Sequence, residues 1–201
     1  VVFNEMKGAM SSVTSTLWQA LSSHLFPTTT YHYNSGGEPA CIPDLTYEQL
    51  VAFYRTHYHP SNAIFMTFGD IPAREHQEKF EVQALSRFDF LDHTISVPNE
   101  KRYFTPLTVE EAYALDETDT QGKTHIVTGW LLGNSANLEA NLQAQLLTAV
   151  LLDNAASPLQ QVLETSTLGT SPSPLCGLED SQKEMLFAAG LEGSDPEHAK
   201  A

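Results

Sequence analysis

The hydrophobic positions near the start of the chain recur at steps of three and four. The series consists of Met6, Met10, Val13, Leu17, Leu21 and Leu25. This spacing places them on one face of an α-helix and predicts a helix from about Asn4 to Leu25 that ends before Phe26-Pro27. Glu5 lies one residue, about 100° of helix rotation, from the apolar face. We therefore expect its carboxylate beside the buried surface.

The next apolar segments predict a helix, a strand and a second helix. Thr46-Tyr47-Glu48-Gln49 fits a capping box, and Pro60 stops the helix that it begins. The run from Ala63 to Phe68 predicts a strand that is largely buried on both faces. Helix-spaced apolar residues then predict a helix from Pro72 to about Leu91.

Residues 93–104 mix Pro98, Asn99 and charged side chains, which predicts a linker between one domain at residues 1–92 and another at 105–201. In the second domain, segments with the two-residue period of a strand alternate with segments that have the 3.6-residue period of a helix. Strands are expected at Leu107–Leu115, His125–Leu132 and Met185–Leu191, and helices at Asn137–Leu152 and from Ser157-Pro158 to a helix-ending Gly169. Strands interspersed with helices indicate a layered α/β or α+β fold.

The charge balance argues against nucleic-acid binding. The 201 residues carry 25 acidic and 10 basic side chains, a formal net charge of −15. Such a surface repels nucleic acid and anionic lipid and attracts basic peptides at long range, although solubility alone accounts for it. No apolar run has the roughly 18–20 residues of a membrane span. Cys41 and Cys176 are far apart in sequence and are expected to be isolated buried thiols.

Candidate metal ligands are few. Neither His-x-x-Glu-His nor His-Glu-x-x-His occurs, and His57-Tyr58-His59 is the only close histidine pair. That pair ends a helix, where basic side chains complement the helix dipole. His76 lies in a charged, solvated helical face, and His125 is expected to be a structural histidine at the head of a strand. Taken alone, Glu5 reads as a first-turn carboxylate facing the dipole of its helix.

A longer run of residues gives Glu5 a second interpretation. Val1-Val2-Phe3-Asn4-Glu5-Met6-Lys7-Gly8 resembles the segment that carries the third zinc ligand in the pitrilysin/insulinase-type metallopeptidases, in their presequence-protease branch. Further resemblances to the same family are Asn34-Ser35-Gly36-Gly37-Glu38-Pro39, Ile42-Pro43-Asp44-Leu45-Thr46, Tyr58-His59-Pro60-Ser61-Asn62-Ala63, Ser157-Pro158-Leu159, Leu168-Gly169-Thr170 and Gly190-Leu191-Glu192-Gly193.

The resemblance implies repeated α+β domains in which helices pack on one face of a mainly antiparallel sheet. It implies a zinc ion, Glu5 as its third protein ligand, and two histidine ligands and a general base from a His-x-x-Glu-His motif upstream. The implied substrates are short unstructured peptides, and the implied partner is the rest of the same polypeptide. The chain, which begins at Val1, is therefore expected to be an inactive fragment of a zinc metalloendopeptidase.

Two alternatives remain open at this point. The protein could be a non-catalytic structural or assembly relative with the same fold, or an unrelated α+β binding module. Two local features also have two interpretations each. Gly8 either accommodates a crowding neighbour or faces the element with the other ligands, and the loop from Asn34 to Pro39 either lines a substrate chamber or is purely structural.

Overall fold

The computed structural model describes residues 1–92 and 95–200. They form two compact units: one takes in residues 1–42 and the described residues from 97 onwards, and the other takes in the described residues between 43 and 96. The helices are α1 (Val2–Ala9), α2 (Val13–Leu25), α3 (Tyr47–His57), α4 (Ala73–Gln83), α5 (Leu138–Leu152) and α6 (Pro158–Thr165). The strands are β1 (Thr124–Asn134), β2 (Ser171–Pro172), β3 (Gly177–Glu179) and β4 (Glu184–Ser194), and short 3₁₀ turns cover Thr30–His32, Ile42–Asp44, Pro60–Asn62, Leu85–Arg87 and Pro196–Lys200.

The first unit is built on an antiparallel sheet with β4 at its centre. β1 pairs along one edge of β4, with Thr128 opposite Ala189, and β2 and β3 pair along the other edge. Met185 and Leu186 of β4 are buried, as is Phe26 directly after α2. Helices packed against an antiparallel sheet confirm the predicted α+β fold.

Several predicted elements are confirmed. β1 and β4 contain the strands expected at His125–Leu132 and Met185–Leu191. α5 begins where expected, because the Asn137 side chain caps it by accepting a hydrogen bond from the backbone N–H of Ala140 (3.2 Å). Pro158 opens α6, as its missing N–H allows.

The single helix predicted from Asn4 to Leu25 is wrong, because the chain turns between α1 and α2. Ser12 adopts an extended backbone and caps α2 by accepting a hydrogen bond from the N–H of Ser15 (3.4 Å). The Ser11 hydroxyl bonds to the carbonyl oxygen of Gly8 at the end of α1 (2.6 Å). Short hydroxyl side chains compete in this way with the helical hydrogen bonds.

In the second unit the capping box of α3 is confirmed. Thr46 accepts from the N–H of Gln49 (3.2 Å), and the Gln49 side chain accepts from the N–H of Thr46 (2.8 Å). The strand predicted at Ala63 to Phe68 is wrong: the segment has no regular secondary structure and pairs with no strand among the described residues, and Ile64 is 97% exposed. An apolar run forms a strand only where a sheet edge is available.

Three further predictions are corrected. α4 ends at Gln83 and only a 3₁₀ turn follows, so the helix does not reach Leu91. Leu107–Leu115 has no strand pairing among the described residues. Gly169 lies beyond the end of α6 at Thr165. Its role is close approach, since a Cβ there would lie 2.8 Å from the carbonyl oxygen of Glu192.

Candidate functional site

Glu5 lies in the first turn of α1, as the dipole interpretation requires, and on a helix, which is compatible with the ligand interpretation. Its side chain is exposed, and within the described residues its carboxylate takes part in no hydrogen bond or ion pair. The carboxylate is therefore free to bind a metal ion without first giving up another partner.

The helix face that carries Glu5 is made of small, exposed residues. Gly8 and Ala9 follow Glu5 by three and four positions, so they share its face. A Cβ at Gly8 would have no atom of the described chain within 4 Å. No described residue therefore packs against Gly8 closely enough to require a glycine there, and the surface beside Glu5 is open.

The face of α1 that carries Met6 is braced by the loop from Asn34 to Gly37. A Cβ at Gly36 would overlap the sulfur of Met6, the residue next to Glu5. Asn34 donates a hydrogen bond from Nδ2 to the sulfur of Met10 (3.2 Å). The resemblance pointed to this loop, but the sequence did not predict its contacts with Met6 and Met10.

The 3₁₀ turn Thr30–His32, which precedes this loop, is hydrogen-bonded to α2. Gln19 donates from Nε2 to the carbonyl oxygen of His32 (3.0 Å), and the Ser22 hydroxyl donates to the carbonyl oxygen of Tyr31 (2.9 Å). α2 in turn packs on the sheet, because a Cβ at Gly129 of β1 would lie 2.9 Å from both Leu21 and Leu25. Through these contacts the sheet supports the helix pair that carries Glu5.

A cavity of about 770 Å³ lies between α1, α2 and this loop. Its larger lining side chains are those of Met6, Met10, Trp18, Tyr31, Tyr33 and Leu175, and none of its lining residues is charged. Volumes of this size are typical of binding clefts. Because Met6 and Ala9 both line it, the cavity opens beside the helix that carries Glu5.

The histidine pair is engaged locally. The Nδ1 of His57 lies 3.0 Å from the carbonyl oxygen of Phe53, and the Nδ1 of His59 accepts from the N–H of Ser61 (3.2 Å). His76 lies on α4 and His125 on β1. Among the described residues, no three His, Cys, Asp or Glu side chains come together in a group that could hold a metal ion.

Both cysteines are isolated free thiols, as expected, but the predicted burial is wrong for Cys41 and only partial for Cys176. Cys41 is exposed, and Cys176 is half-buried. Burial raises the pKa of the Cys176 thiol, although the backbone N–H of Gly190 donates to its sulfur (3.3 Å). A raised pKa disfavours the reactive thiolate. In the described part of the chain, no helix is both long and apolar enough to cross a membrane.

Comparison with known proteins identifies the family. Residues 44–200 match a family model described as "Peptidase M16 inactive domain". The chain belongs to the M16 peptidase family. This is the pitrilysin/insulinase-type family that the Val1–Gly8 segment and the other quoted motifs resemble.

The relatives place the chain in the presequence-protease branch of the M16 family. It is 37% identical over 202 residues to the mitochondrial presequence protease of Xenopus tropicalis, covering 100% of this chain and 20% of the relative. It is 37% identical to that of Mus musculus over 195 residues (96% and 19%) and 35% identical to that of Schizosaccharomyces pombe over 204 residues (98% and 20%). The chain spans about a fifth of the length of these relatives.

Proposed function

We propose that this chain is part of a zinc-dependent metalloendopeptidase that hydrolyses short unstructured peptides, and that Glu5 is one protein ligand of its zinc ion. The observation that carries the assignment is the free, exposed carboxylate of Glu5 on an open face of α1. Membership of a peptidase family and similarity to presequence proteases support the peptide substrate.

The described residues fit one zinc ligand and not a complete site. A catalytic zinc takes three protein ligands and keeps one position open. The described chain has no cluster of three ligand-type side chains, so we propose that the two histidines and the general base come from a His-x-x-Glu-His motif elsewhere in the polypeptide. Zinc in such sites supplies Lewis-acid activation of water and of the scissile carbonyl. Glu5 would add negative charge and fix one corner of the coordination.

The domain division at residues 93–104 belongs to the same proposal. Residues 1–92 would then be the later part of a ligand-bearing domain and residues 105–201 the early part of a second, peptidase-like one. Glu5 lies outside the segment matched to the inactive domain, which begins at residue 44. That position is compatible with a ligand contributed by the preceding domain.

The test introduces the substitution Glu5→Gln into the full-length protein and measures both bound zinc and peptide cleavage. We expect loss of zinc and a fall in kcat/KM of at least about 100-fold, because changes to residues behind the ligands alone cost about 10–100-fold. The matched control is Glu48→Gln, which removes another exposed first-turn carboxylate, that of α3. It has the same effect on a helix dipole, and we expect it to leave zinc content unchanged. Wild-type zinc content in Glu5→Gln would make the ligand assignment wrong.

The second candidate is a non-catalytic relative that keeps the fold as a structural or assembly subunit. The description of the model matched by residues 44–200 as an inactive domain is compatible with it. The sequence upstream of Val1 in the full-length protein separates the two candidates. An intact His-x-x-Glu-His there supports the peptidase, and a motif lacking the glutamate or either histidine supports the non-catalytic relative.

A further inference from the structure

Two carboxylates are buried in the first unit, far from Glu5 in sequence. Glu100 is 4% exposed and Glu184 is 3% exposed. Acidic residues are almost never fully buried unless they are paired or hydrogen-bonded. What these two carboxylates bind therefore indicates what they are for.

Glu100 holds the chain where it leaves α2. One carboxylate oxygen accepts from the backbone N–H groups of Thr28 (2.8 Å) and Thr29 (3.1 Å). The other accepts from the Thr28 hydroxyl (2.6 Å) and from the N–H of Lys101 (2.7 Å). All four partners donate to Glu100. A carboxylate fits this position because an ionised carboxylate only accepts hydrogen bonds.

Glu184, the first residue of β4, holds the segment that carries Glu100. Its carboxylate accepts from the backbone N–H of Glu100 (2.6 Å) and from the Arg102 guanidinium (2.7 Å). Arg102 also donates to the carbonyl oxygens of Glu100 (3.0 Å) and of Leu132 on β1 (2.5 Å). Residues 100–102 are thus bonded to both long strands of the sheet and to the end of α2.

We propose that Glu100 is a positioning residue for Glu5, anchoring the helix pair α1–α2 to the sheet through Glu184 and Arg102. The proposal rests on the assignment of Glu5 as a zinc ligand. Glu100 touches neither metal nor substrate and acts through α2. Phe26, which directly follows α2 and lies two residues before Thr28, is fully buried, so the anchored segment continues into the packed core.

A small movement at this anchor is enlarged at Glu5. α2 has 13 residues, so it extends about 20 Å from the anchor to the turn that leads into α1. A tilt of a few degrees about the anchored end displaces α1 by about an ångström over that length. Misplacement by about 1 Å can cost a reaction 100-fold, and ligand distances in metal sites are held within about 0.2 Å.

The experiment compares Glu100→Gln with Glu110→Gln in the full-length protein. Gln at position 100 keeps the size of the side chain but turns an NH₂ group toward hydrogen-bond donors. Glu110 is exposed, so Glu110→Gln is a matched control. We expect Glu100→Gln to weaken zinc binding about tenfold in chelator competition and to lower kcat while KM stays within about twofold. A second readout needs no zinc. Spin labels at Lys7 on α1 and Thr128 on β1, both exposed, should give a broader distance distribution in Glu100→Gln.

The outcomes separate positioning from stability. If Glu100→Gln lowers Tm but matches Glu110→Gln in zinc affinity, kcat and label distances, the proposal is overturned. If Glu100→Gln does not fold, Thr28→Val removes only the hydroxyl bond at an exposed residue and is held to the same criteria. A broadened label distribution together with normal zinc content in Glu5→Gln would uphold the anchor and reject Glu5 as the ligand.

Discussion

The buried carboxyl group of Glu100 is expected to make the stability of the fold depend on pH. Burial alone would raise its pKa, but hydrogen bonds from Thr28, Thr29 and Lys101 outweigh burial and hold the pKa below its usual value of about 4.5. A depressed pKa in the folded state means that the ionised form stabilises the fold. This contribution is fully present above the unfolded pKa and is lost as the pH falls through the folded pKa.

We therefore predict that Glu100→Gln destabilises the protein mainly at neutral pH. The loss should be about 3 kcal/mol at pH 7, because buried N–H groups lose a charged acceptor. It should shrink as the pH falls below about 4.5, where the wild type loses the same interaction. Denaturant unfolding between pH 3 and 7 measures the difference. Glu75→Gln is the control, since the Glu75 pKa is lowered by a hydrogen bond and charge from Lys79 on an exposed surface. A loss for Glu100→Gln that stays constant with pH would contradict the prediction.

Glu5 illustrates what a sequence can say about one residue. Its position in a first turn follows from the apolar spacing, and its candidacy as a ligand follows from the Val1–Gly8 resemblance. Neither source could reveal that its carboxylate has no partner in the described residues, or that Gly36 packs on Met6 behind it. The contact of Gly36 with Met6 joins segments thirty residues apart, and local periodicity encodes neither such a contact nor the lack of a partner for Glu5.

At the level of elements, the sequence succeeded where local chemistry decides the structure. The capping box at Thr46, the cap at Asn137 and the proline at 158 act within one turn, so their pattern is sufficient. It failed where the outcome depends on a neighbour. Ala63–Phe68 reads as a strand, but no strand among the described residues pairs with it.

The pairing of β1 with β4 depends on one glycine. A Cβ at Gly190 would overlap the carbonyl oxygen of Ile126 and lie 2.8 Å from the Cα of Val127. Both are backbone atoms of the neighbouring strand, so neither can move aside as a flexible side chain could. The close approach explains a glycine in the middle of a strand.

We predict that Gly190→Ala destabilises the protein by about 3 kcal/mol or more, at the upper end of the cost of overpacking. Gly133→Ala on β1 is the matched control, because a Cβ there meets no described atom within 4 Å. Its effect should be neutral or slightly stabilising, as expected when a glycine inside a strand is replaced. Thermal unfolding of the two variants tests the prediction, and equal Tm values would contradict it.

For the molecule as a whole, membership of a peptidase family does not mean that this chain holds a complete zinc site. The described candidate ligands do not come together in one place. The family model matches residues 44–200, and Glu5 lies before that segment, in the part of the chain where only the similarity to the presequence proteases extends. The histidines at 57 and 59 each direct a ring nitrogen to the local backbone. The net charge of −15 attracts cations generally, but long-range attraction does not replace a coordination shell.

We therefore predict that the 201-residue chain alone binds zinc more weakly than micromolar and cleaves no peptide. One carboxylate lacks the three-ligand set that holds a catalytic zinc, and the described residues provide no such group. Competition with a chromophoric chelator at pH 7 measures the affinity, and Glu5→Gln in the same chain should change it little. Micromolar or tighter binding would contradict the prediction. If His57→Ala together with His59→Ala then abolished that binding, the metal site would lie at the end of α3 instead of on α1.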